Sequence, residues 1–335
     1  MKKIAVLIPC YNEEQTIAGV VSDFRSRLTN ADIYVYDNNS ADKTADEARR
    51  AGAIVRFEKK QGKGNVIRAM FREIDADIYL MVDGDGTYPA DMVQELIKPV
   101  MADEADMVIG SRLHTVSESK FKPLNRLGNK LFLFVMNSIF RVNITDLLSG
   151  YRAMNRNVVK SLPIISGGFE IETELTVKSL ERRLRVIEVP INLSPRPEGS
   201  FSKIKLFKDG AIILNTILAL FRDYKPFLAF GAAGLFLILC SLIPGAWVLI
   251  EFLDTGYIHR IPAAILSVGL ALSGLLVAFV GLILHTISRR FQEVDCQLQN
   301  LFTHIEQSGV LEKTTRIRGS NKSNQVGNSP LKKTF

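Results

Sequence analysis

The sequence predicts an α/β fold, in which a mostly parallel sheet is flanked by helices, followed by an α-helical transmembrane hairpin. Strand-like and helix-like patterns alternate through residues 4–110, which is typical of a parallel sheet covered by helices on both faces. Two later stretches, residues 226–250 and 261–288, contain no Asp, Glu, Lys or Arg. Each stretch is long enough to cross a hydrocarbon core about 30 Å thick.

Short apolar runs and helical patterns alternate in the first part of the chain. The predicted strands are Ile4–Pro9, Asp32–Asp37, Ala53–Phe57, Ile78–Asp83 and Asp106–Gly110. The predicted helices are Glu14–Leu28, Lys43–Arg50, Gly64–Ile74 and Pro89–Met101. Open sheets of this kind bind ligands at the carboxyl ends of their strands. Polar residues follow three of the strands, and these candidates for a binding crevice are Tyr11, Asn12, Glu13, Asp37, Asn38, Asp83 and Asp85.

The most informative motif is the segment Tyr79–Thr87, an apolar run that ends in Asp83 and Asp85 with a glycine between them. Two carboxylates about 4 Å apart repel by roughly 4 kcal/mol at an effective dielectric constant near 20, so a desolvated pair needs a proton or a cation. Mg²⁺ or Mn²⁺ suits such oxygen ligands and leaves positions open for phosphate. A solvated Asp-Gly turn is the alternative. An EF-hand is excluded, because Tyr88 and Gln94 stand where that loop needs Gly and Glu.

Charges around the two apolar stretches predict their topology. By the positive-inside rule, the large N-terminal part and the C-terminal tail are cytoplasmic, and the short loop 251–260 faces outward. Buried core helices are the alternative, but such helices rarely run so long without a polar face. The flanking cations are Lys203, Lys205, Lys208, Arg222 and Lys225 before the first stretch, and Arg289 and Arg290 after the second.

The chain is expected to divide into a cytoplasmic domain (1–202), a juxtamembrane amphipathic helix (203–225), two transmembrane helices (226–288) and a basic cytoplasmic tail (289–335) with a disordered end. The formal net charge is +7, concentrated beside the spans and in the tail, which predicts attraction to anionic lipid headgroups. Nucleic acid is not expected as a partner, because no basic motif with interleaved aromatic residues occurs. Three dispersed cysteines indicate a reducing compartment.

Three further segments supply cations. The loop Gln61–Asn65 precedes a predicted helix, and its Lys63 is a candidate donor contact. Residues 126–140 mix cations with apolar residues, which suits a helix in the lipid headgroup region, and a core helix fits the pattern equally well. Arg196 and Lys203 lie on a segment rich in Gly, Ser and Pro, and a solvated linker would have the same composition.

Together these motifs resemble the family 2 glycosyltransferases, and within them the polyprenyl-phosphate glycosyltransferases related to dolichol-phosphate mannose synthase. They occur in the family's order over about the first 205 residues, and the two-helix C-terminal hairpin matches the membrane-anchored members. The segments that carry the resemblance are Ile8–Glu14, Asp37–Ser40, Asp83–Asp85, Gly110–Arg112, Asp146–Arg152 and Arg196–Lys203.

The resemblance implies a GT-A-like, nucleotide-sugar-binding fold and a donor site. Asp83 and Asp85 would bind Mg²⁺ or Mn²⁺ on the donor diphosphate. The family often has Gln two residues after the second Asp, and here Thr87 is the candidate third ligand. Asp37 is followed by Asn-Asn-Ser, where Asp-Gly-Ser is commoner. The residues expected to bind the donor are Pro9, Tyr11, Glu13, Asp37, Asp83, Gly84 and Asp85.

The implied reaction is an inverting transfer of a hexose to undecaprenyl or dolichyl phosphate from a nucleotide sugar, with UDP ranked before GDP. Arg196 and Lys203, with the metal, would neutralise the leaving diphosphate. Asp146 would position or modestly activate the acceptor, and its alternative role is to cap the Ser149–Gly150 turn. The residues expected to clamp the lipid phosphate are Arg112, Arg126 and Lys130.

Two other functions are weighed against this one. The sequence argues against a processive polysaccharide synthase, because such enzymes carry a Gln-x-x-Arg-Trp motif and the only tryptophan is Trp247, inside an apolar stretch. A noncatalytic membrane scaffold or a lipid-sugar translocase component stays open as the alternative. Expected partners are the nucleotide sugar, the polyprenyl phosphate, the lipid bilayer and further copies of the chain. The expected location is a bacterial inner membrane or a plasma membrane.

Overall fold

The computed structural model describes residues 2–112, 133–134, 136–138, 142–168, 170–194, 215, 218–219, 221–223 and 225–307. The chain divides into two compact units, Met1–Tyr224 and Lys225–Phe335. The first contains the sheet and its helices, and the second contains two long apolar helices.

Among the described residues, the first unit contains one seven-stranded sheet with the order β3-β2-β1-β4-β6-β5-β7. Only β6 runs antiparallel to its neighbours β4 and β5, so the prediction of a mostly parallel sheet is confirmed. All five predicted strands are present, and β6 and β7 are two that the sequence did not indicate. The strands are β1 (Ile4–Cys10), β2 (Ala31–Asp37), β3 (Ile54–Phe57), β4 (Ile78–Met81), β5 (Met107–Ser111), β6 (Arg152–Asn155) and β7 (Val186–Pro190).

Helices cover both faces of this sheet. Because side chains alternate along a strand, Val6 and Ile8 of β1 enter one apolar cluster with α1 and α4, whereas Ala5 and Leu7 enter another with α3, α5 and α6. The predicted two-layer cover is therefore confirmed. The helices are α1 (Ile17–Arg27), α2 (Thr44–Arg50), α3 (Lys63–Glu73), α4 (Val93–Met101), α5 (Arg156–Ser161) and α6 (Ile171–Glu181).

The second unit is a hairpin of α7 (Pro226–Thr255) and α8 (Ile261–Gln307). By length and composition, α7 and the Ile261–Phe291 part of α8 could cross a membrane, with mean hydropathies of 2.3 and 2.4. Ser267 Oγ donates a hydrogen bond to the Ser241 carbonyl (2.8 Å), which ties the two helices together. The hairpin of two apolar helices is thus present, and α8 continues past the predicted span. Most of the expected juxtamembrane helix and all of residues 308–335 lie outside the described residues.

Candidate active site

The carboxyl ends of β1, β2 and β4 lie side by side, because β1 pairs with both other strands in parallel. The turn after β1 is bonded to the turn after β2: Asn12 N donates to Ser40 Oγ (2.9 Å), and Ala41 N donates to Asn12 Oδ1 (2.8 Å). Asn12 has a φ of 52°, in the left-handed region that Asn tolerates better than most residues. The predicted donor residues of β1 and its turn, which are Pro9, Tyr11 and Glu13, lie at this edge.

Asp37, the last residue of β2, is 4% exposed. Its Oδ2 accepts a hydrogen bond from Ser40 N (3.3 Å), whereas its buried Oδ1 has no hydrogen-bond partner among the described residues. A buried polar atom without a partner costs about 1–3 kcal/mol, and more when it is charged. Asp37 Oδ1 is therefore suited to accept a hydrogen bond from a ligand.

The acid pair follows β4 at the same edge. Thr87 donates two hydrogen bonds to Asp85 Oδ1, from its backbone nitrogen (3.1 Å) and from its hydroxyl (2.7 Å). The Gly84 carbonyl between the two acids accepts a hydrogen bond from Thr16 Oγ1 (2.7 Å). In this arrangement Thr87 orients the Asp85 carboxylate.

The acid pair is suited to a divalent cation whose other ligands are phosphate oxygens and water. Among the described residues, no group of three or more His, Cys, Asp or Glu is placed to hold a metal ion. Mg²⁺ is usually held by one or two carboxylates together with substrate phosphates and water. Asp83 and Asp85 match that donor set in kind and number.

Lys63 bridges Asp83 to a second carboxylate. Its Nζ lies 2.5 Å from Asp83 Oδ1 and 2.5 Å from Glu172 Oε1. Burial alone would lower the pKa of Lys63, but the charges of Asp83 and Glu172 outweigh burial and hold this pKa above its usual value. Burial raises the pKa of Glu172, against the opposing charge of Lys63. The sequence predicted Lys63 as a candidate donor contact, whereas no sequence motif indicated a role for Glu172.

Close backbone packing positions Lys63. Gly62 and Gly64, on either side of it, lie against the loop before α6, and Gly64 N donates to the Gly167 carbonyl (3.1 Å). A Cβ on Gly64 would lie 2.2 Å from the Ser166 carbonyl oxygen, which is closer than real Cβ atoms approach. Only glycines allow this contact, which aims the intervening lysine at Asp83.

A fully buried arginine holds the loop beside the acid pair. Arg152 Nε and Nη2 donate to the carbonyls of Ser149 and Leu147 (both 2.9 Å), and its Nη1 donates to Thr176 Oγ1 (2.8 Å). Burial lowers the pKa of Arg152 to about 10, so the side chain stays protonated at neutral pH. Arg152 therefore holds the Asp146–Gly150 segment in place through the carbonyls of Leu147 and Ser149.

Asp146 forms a two-pronged ion pair with Arg112, with Nε–Oδ2 and Nη2–Oδ1 distances of 2.7 and 2.9 Å. Burial alone would raise the pKa of Asp146, but the hydrogen bonds and charge of Arg112 hold this pKa below its usual value. Leu148 N also donates to Asp146 Oδ1 (3.1 Å), a local turn contact that lies just before the Ser149–Gly150 turn which the sequence suggested for it. The Asp146 nitrogen donates to Glu188 Oε1 of β7 (2.9 Å).

Gly150 brings this loop against the acid pair. A Cβ at Gly150 would lie 2.7 Å from Asp83 Oδ2, and the Gly150 nitrogen donates to the Tyr88 hydroxyl (2.9 Å). The structure therefore gathers Asp37, the acid pair and the Asp146 loop at one edge, and it adds Tyr88 as a contact that the sequence did not indicate. Four predicted site residues lie outside the described residues, namely Arg126, Lys130, Arg196 and Lys203.

Comparison with known proteins gives a consistent result. The profile of glycosyl transferase family 2 matches residues 5–162. The chain is 34% identical over 281 residues to the glycosyltransferase AglJ of Haloferax volcanii, covering 82% of this chain and 91% of AglJ. It is 29% identical over 217 residues to a dolichyl-phosphate hexose transferase of the same organism (64% of this chain, 92% of that protein). It is 27% identical over 229 residues to the undecaprenyl-phosphate mannosyltransferase of Micrococcus luteus (64% and 92%).

A solved structure shares the fold. The glucosyl-3-phosphoglycerate synthase of Mycobacterium tuberculosis, in complex with Mg²⁺ and uridine diphosphate, has a TM-score of 0.56 with this chain. The two chains are 21% identical, and the match covers 65% of this chain and 79% of that one. At this identity the likeness supports the fold.

Proposed function

The chain belongs to glycosyl transferase family 2, and on this premise we propose that it transfers a hexose from a nucleotide sugar to a membrane polyprenyl phosphate. The donor is a UDP-hexose, with a GDP-hexose ranked second, and the acceptor is undecaprenyl or dolichyl phosphate. An acceptor phosphate oxygen attacks the anomeric carbon with inversion, the bond from that carbon to the donor diphosphate breaks, and the nucleoside diphosphate leaves with the bonding electrons. The product would serve cell-envelope glycan synthesis or glycoprotein modification.

One observation carries the proposal: a buried acceptor that has no hydrogen-bond partner among the described residues lies at the end of one strand, and an acid pair follows another strand that flanks the same neighbour. Asp37 ends β2, Asp83 and Asp85 follow β4, and both strands pair with β1. Asp37 Oδ1 could accept a hydrogen bond from the nucleoside, and the acid pair could hold a cation on the diphosphate. In a nucleotide sugar, the nucleoside and the diphosphate lie at opposite ends of the nucleoside diphosphate, so one donor molecule could contact both Asp37 and the acid pair.

Asp83 and Asp85 are the residues that would hold Mg²⁺ or Mn²⁺, and the bound ion would neutralise charge on the leaving diphosphate. Thr87 keeps the Asp85 carboxylate in place through its two hydrogen bonds. Its hydroxyl hydrogen is donated to Asp85, which leaves the oxygen lone pairs available, so we propose that Thr87 orients Asp85 and could also supply a third metal ligand. Arg196 and Lys203 are proposed, from their sequence positions, to share in neutralising the leaving group.

On the acceptor side, a phosphate monoester with a second pKa near 6 is already largely a dianion at neutral pH. It needs little help from a general base. We therefore assign Asp146 to orienting Arg112, which would contact the acceptor phosphate through its guanidinium. Arg126 and Lys130 are proposed as further phosphate contacts.

The same proposal places α7 and the first part of α8 across a membrane, with the sheet-containing unit and both termini in the cytoplasm. The two apolar helices support it, and so do relatives whose names give dolichyl and undecaprenyl phosphates as acceptors. A bacterial inner membrane or a plasma membrane is proposed, with the chain as a homo-oligomer. Protease accessibility of each terminus in oriented vesicles tests the topology.

The transfer itself is tested with the detergent-purified full chain, undecaprenyl or dolichyl phosphate, Mg²⁺ or Mn²⁺, and a panel of UDP- and GDP-hexoses. We expect release of a nucleoside diphosphate with one donor and a matching lipid-linked sugar by mass spectrometry. The anomeric configuration of the product, read by NMR, tests inversion.

Two variants give the experiment its controls. Asp85→Ala is expected to abolish product formation, whereas Asp46→Ala, which removes an exposed carboxylate paired with Arg49 on α2, should leave it unchanged. Nucleotide binding without product, for every donor, metal and acceptor, would overturn the transferase proposal in favour of a scaffold.

A further inference from the structure

Asp83 already has a cationic partner at the place where the proposed function needs a metal ion. Lys63 Nζ lies 2.5 Å from Asp83 Oδ1. The other carboxylate oxygen lies against the Asp146 loop, because a Cβ on Gly150 would be 2.7 Å from Asp83 Oδ2. The protein itself therefore approaches both oxygens of Asp83, and a cation that binds there must share or replace the contact with Lys63.

Sharing one carboxylate between two cations is electrostatically unfavourable here. Burial would lower the pKa of Lys63, but the charges of Asp83 and Glu172 hold this pKa above its usual value, so the side chain is a cation at neutral pH. The Lys63 side chain is only 10% exposed, and water screens the repulsion between two cations little at such a buried place. Lys63 in its observed position and a divalent cation thus compete for Asp83.

Glu172 offers Lys63 a second carboxylate. Lys63 Nζ also lies 2.5 Å from Glu172 Oε1, so the amine can lose one partner and keep the other. The Glu172 side chain is 3% exposed and that of Asp83 is 29% exposed, so a cation that enters from solvent reaches Asp83 first. Burial raises the pKa of Glu172, and the charges of Lys63 and of the buried Arg152 oppose that rise. Glu172 is thus the inner partner of Lys63, and Asp83 is the outer one.

We propose that Lys63 is a counter-ion that exchanges partners: Asp83 and Glu172 share it as long as no metal ion is bound, and it withdraws to Glu172 when Asp83 binds the divalent cation. Glu172 is then a positioning residue that sets the metal affinity through Lys63. The exchange needs little movement, because Lys63 Nζ already contacts both carboxylates. This inference rests on the proposed function, from which it takes the assignment of the metal to Asp83 and Asp85.

Mn²⁺ binding to the detergent-purified full chain tests the exchange, with the EPR signal of free Mn²⁺ as the readout, alone and with saturating UDP. Lys63→Met removes the competitor for Asp83, so Mn²⁺ should bind about tenfold more tightly. Glu172→Gln leaves Lys63 to Asp83, so Mn²⁺ should bind about tenfold more weakly. Lys98→Met, which removes an exposed lysine of α4, is the matched control and should leave the affinity unchanged.

The double variant separates the exchange from a simple effect of net charge. Lys63→Met combined with Glu172→Gln removes one cation and one carboxylate, so an effect of net charge alone would leave the Mn²⁺ affinity at the wild-type value and overturn the proposal. The exchange predicts that Glu172 matters only while Lys63 is present. The double variant should therefore bind Mn²⁺ like Lys63→Met, about tenfold more tightly than wild type. Its two neutral side chains are close in size to the native ones, so this comparison stands even if a single variant does not fold.

Failure of the exchange and failure of the proposed function give different results. Wild-type protein that binds no Mn²⁺, alone or with UDP, would overturn the assignment of the metal to Asp83 and Asp85, and the exchange with it. Wild-type protein that binds Mn²⁺, together with Lys63 and Glu172 variants of unchanged affinity, would overturn the exchange alone. None of these readouts depends on sugar transfer.

Discussion

Arg112 and Asp146 form a bidentate ion pair, with hydrogen bonds from Nε to Oδ2 at 2.7 Å and from Nη2 to Oδ1 at 2.9 Å. The backbone nitrogen of Arg112 adds a third bond to Oδ2 (3.1 Å). A carboxylate held in this way is stabilised in its charged form, and its pKa is accordingly below the usual value. Asp146 is therefore a weak proton acceptor and a strong orienter of Arg112.

The first prediction concerns the pH dependence of Asp146→Asn. Because Asp146 stays ionised well below pH 6, the acid limb of kcat/KM should reflect the acceptor phosphate, with an apparent pKa of about 6. The variant should lose on the order of 10²-fold in rate, since misplacing a positioning group costs about that much, but it should keep the limb. The measurement is a pH–rate profile with saturating donor. Disappearance of the limb in Asp146→Asn would make Asp146 the base.

The same lowered pKa has a stability consequence. Because the folded-state pKa of Asp146 lies below its unfolded value of about 3.9, its stabilising contribution is fully present above that pH. The contribution is lost as the pH falls through the folded-state pKa. Wild-type Tm should drop on acidification below about pH 4, and Asp146→Asn should show a lower Tm at pH 7 with a shallower drop. Parallel curves for the two proteins would contradict this account.

The second prediction is that one added methyl group at Gly150 disables the acid pair. The Cβ of Gly150→Ala would lie 2.7 Å from Asp83 Oδ2 and 2.9 Å from Oδ1, so the carboxylate must shift. We expect activity to fall at least tenfold and the Mn²⁺ concentration for half-activation to rise by a similar factor. Metal titration of the purified variant measures both.

Gly19→Ala is the matched control for that variant. Gly19 lies inside α1, and its Cβ would meet nothing within 4 Å, so activity should stay unchanged and stability should rise by about 0.5–1 kcal/mol. Normal metal activation in Gly150→Ala would show that the Asp146 loop does not influence the proposed metal binding by Asp83 and Asp85.

The third prediction compares a buried ion pair with an exposed one. Glu172→Gln leaves the buried Lys63 with Asp83 as its remaining carboxylate partner among the described residues. Removing one partner of a buried pair costs about 3–5 kcal/mol when the other charge is left uncompensated. Because Asp83 still compensates Lys63, we expect a smaller loss of about 1–3 kcal/mol, which still exceeds the roughly 0.2–1 kcal/mol of an exposed pair. Glu47→Gln, which breaks the exposed pair with Arg50, is the control. Thermal unfolding of both variants in detergent should show a drop of several degrees for Glu172→Gln alone.

A double variant adds a second check on Glu172. If its role is to compensate Lys63, then Lys63→Met combined with Glu172→Gln should be less destabilised than the sum of the single variants. Strict additivity would mean that Glu172 stabilises α6 independently of Lys63.

Much of the fold was predictable because the first five strands are apolar runs separated by helical patterns. Two strands were not, for reasons specific to them. β6 begins with Arg152, a charged residue that no sequence pattern places in a sheet interior, although it is fully buried there. β7 is half-exposed at the sheet edge, so its alternation of apolar and polar residues is short and weak.

The candidate site was predictable where its residues end or follow a strand, as Asp37 ends β2 and Asp83 and Asp85 follow β4. Glu172, Arg152 and Tyr88 were not, because their roles depend on contacts between segments far apart in the chain. Glu172 lies in the first turn of α6 and meets Lys63 only because Gly62 and Gly64 pack against the loop before that helix. No local sequence pattern predicts the ion pair between Lys63 and Glu172.

The last prediction concerns the apolar hairpin. Gly234 of α7 and Gly274 of α8 lie so close that a Cβ on Gly234 would be 2.5 Å from the Gly274 carbonyl oxygen. Helices in a membrane gain little from the hydrophobic effect, so close packing at small residues supplies much of their association. Gly234→Val should push the helices apart and lower the Tm of the detergent-solubilised chain by several degrees. Gly231→Val, three residues earlier on the same helix and with nothing within 4 Å of its Cβ, should leave the Tm within a degree or two. An equal loss in both variants would trace the effect to valine's poor helix propensity and would remove the Gly234–Gly274 contact as its cause.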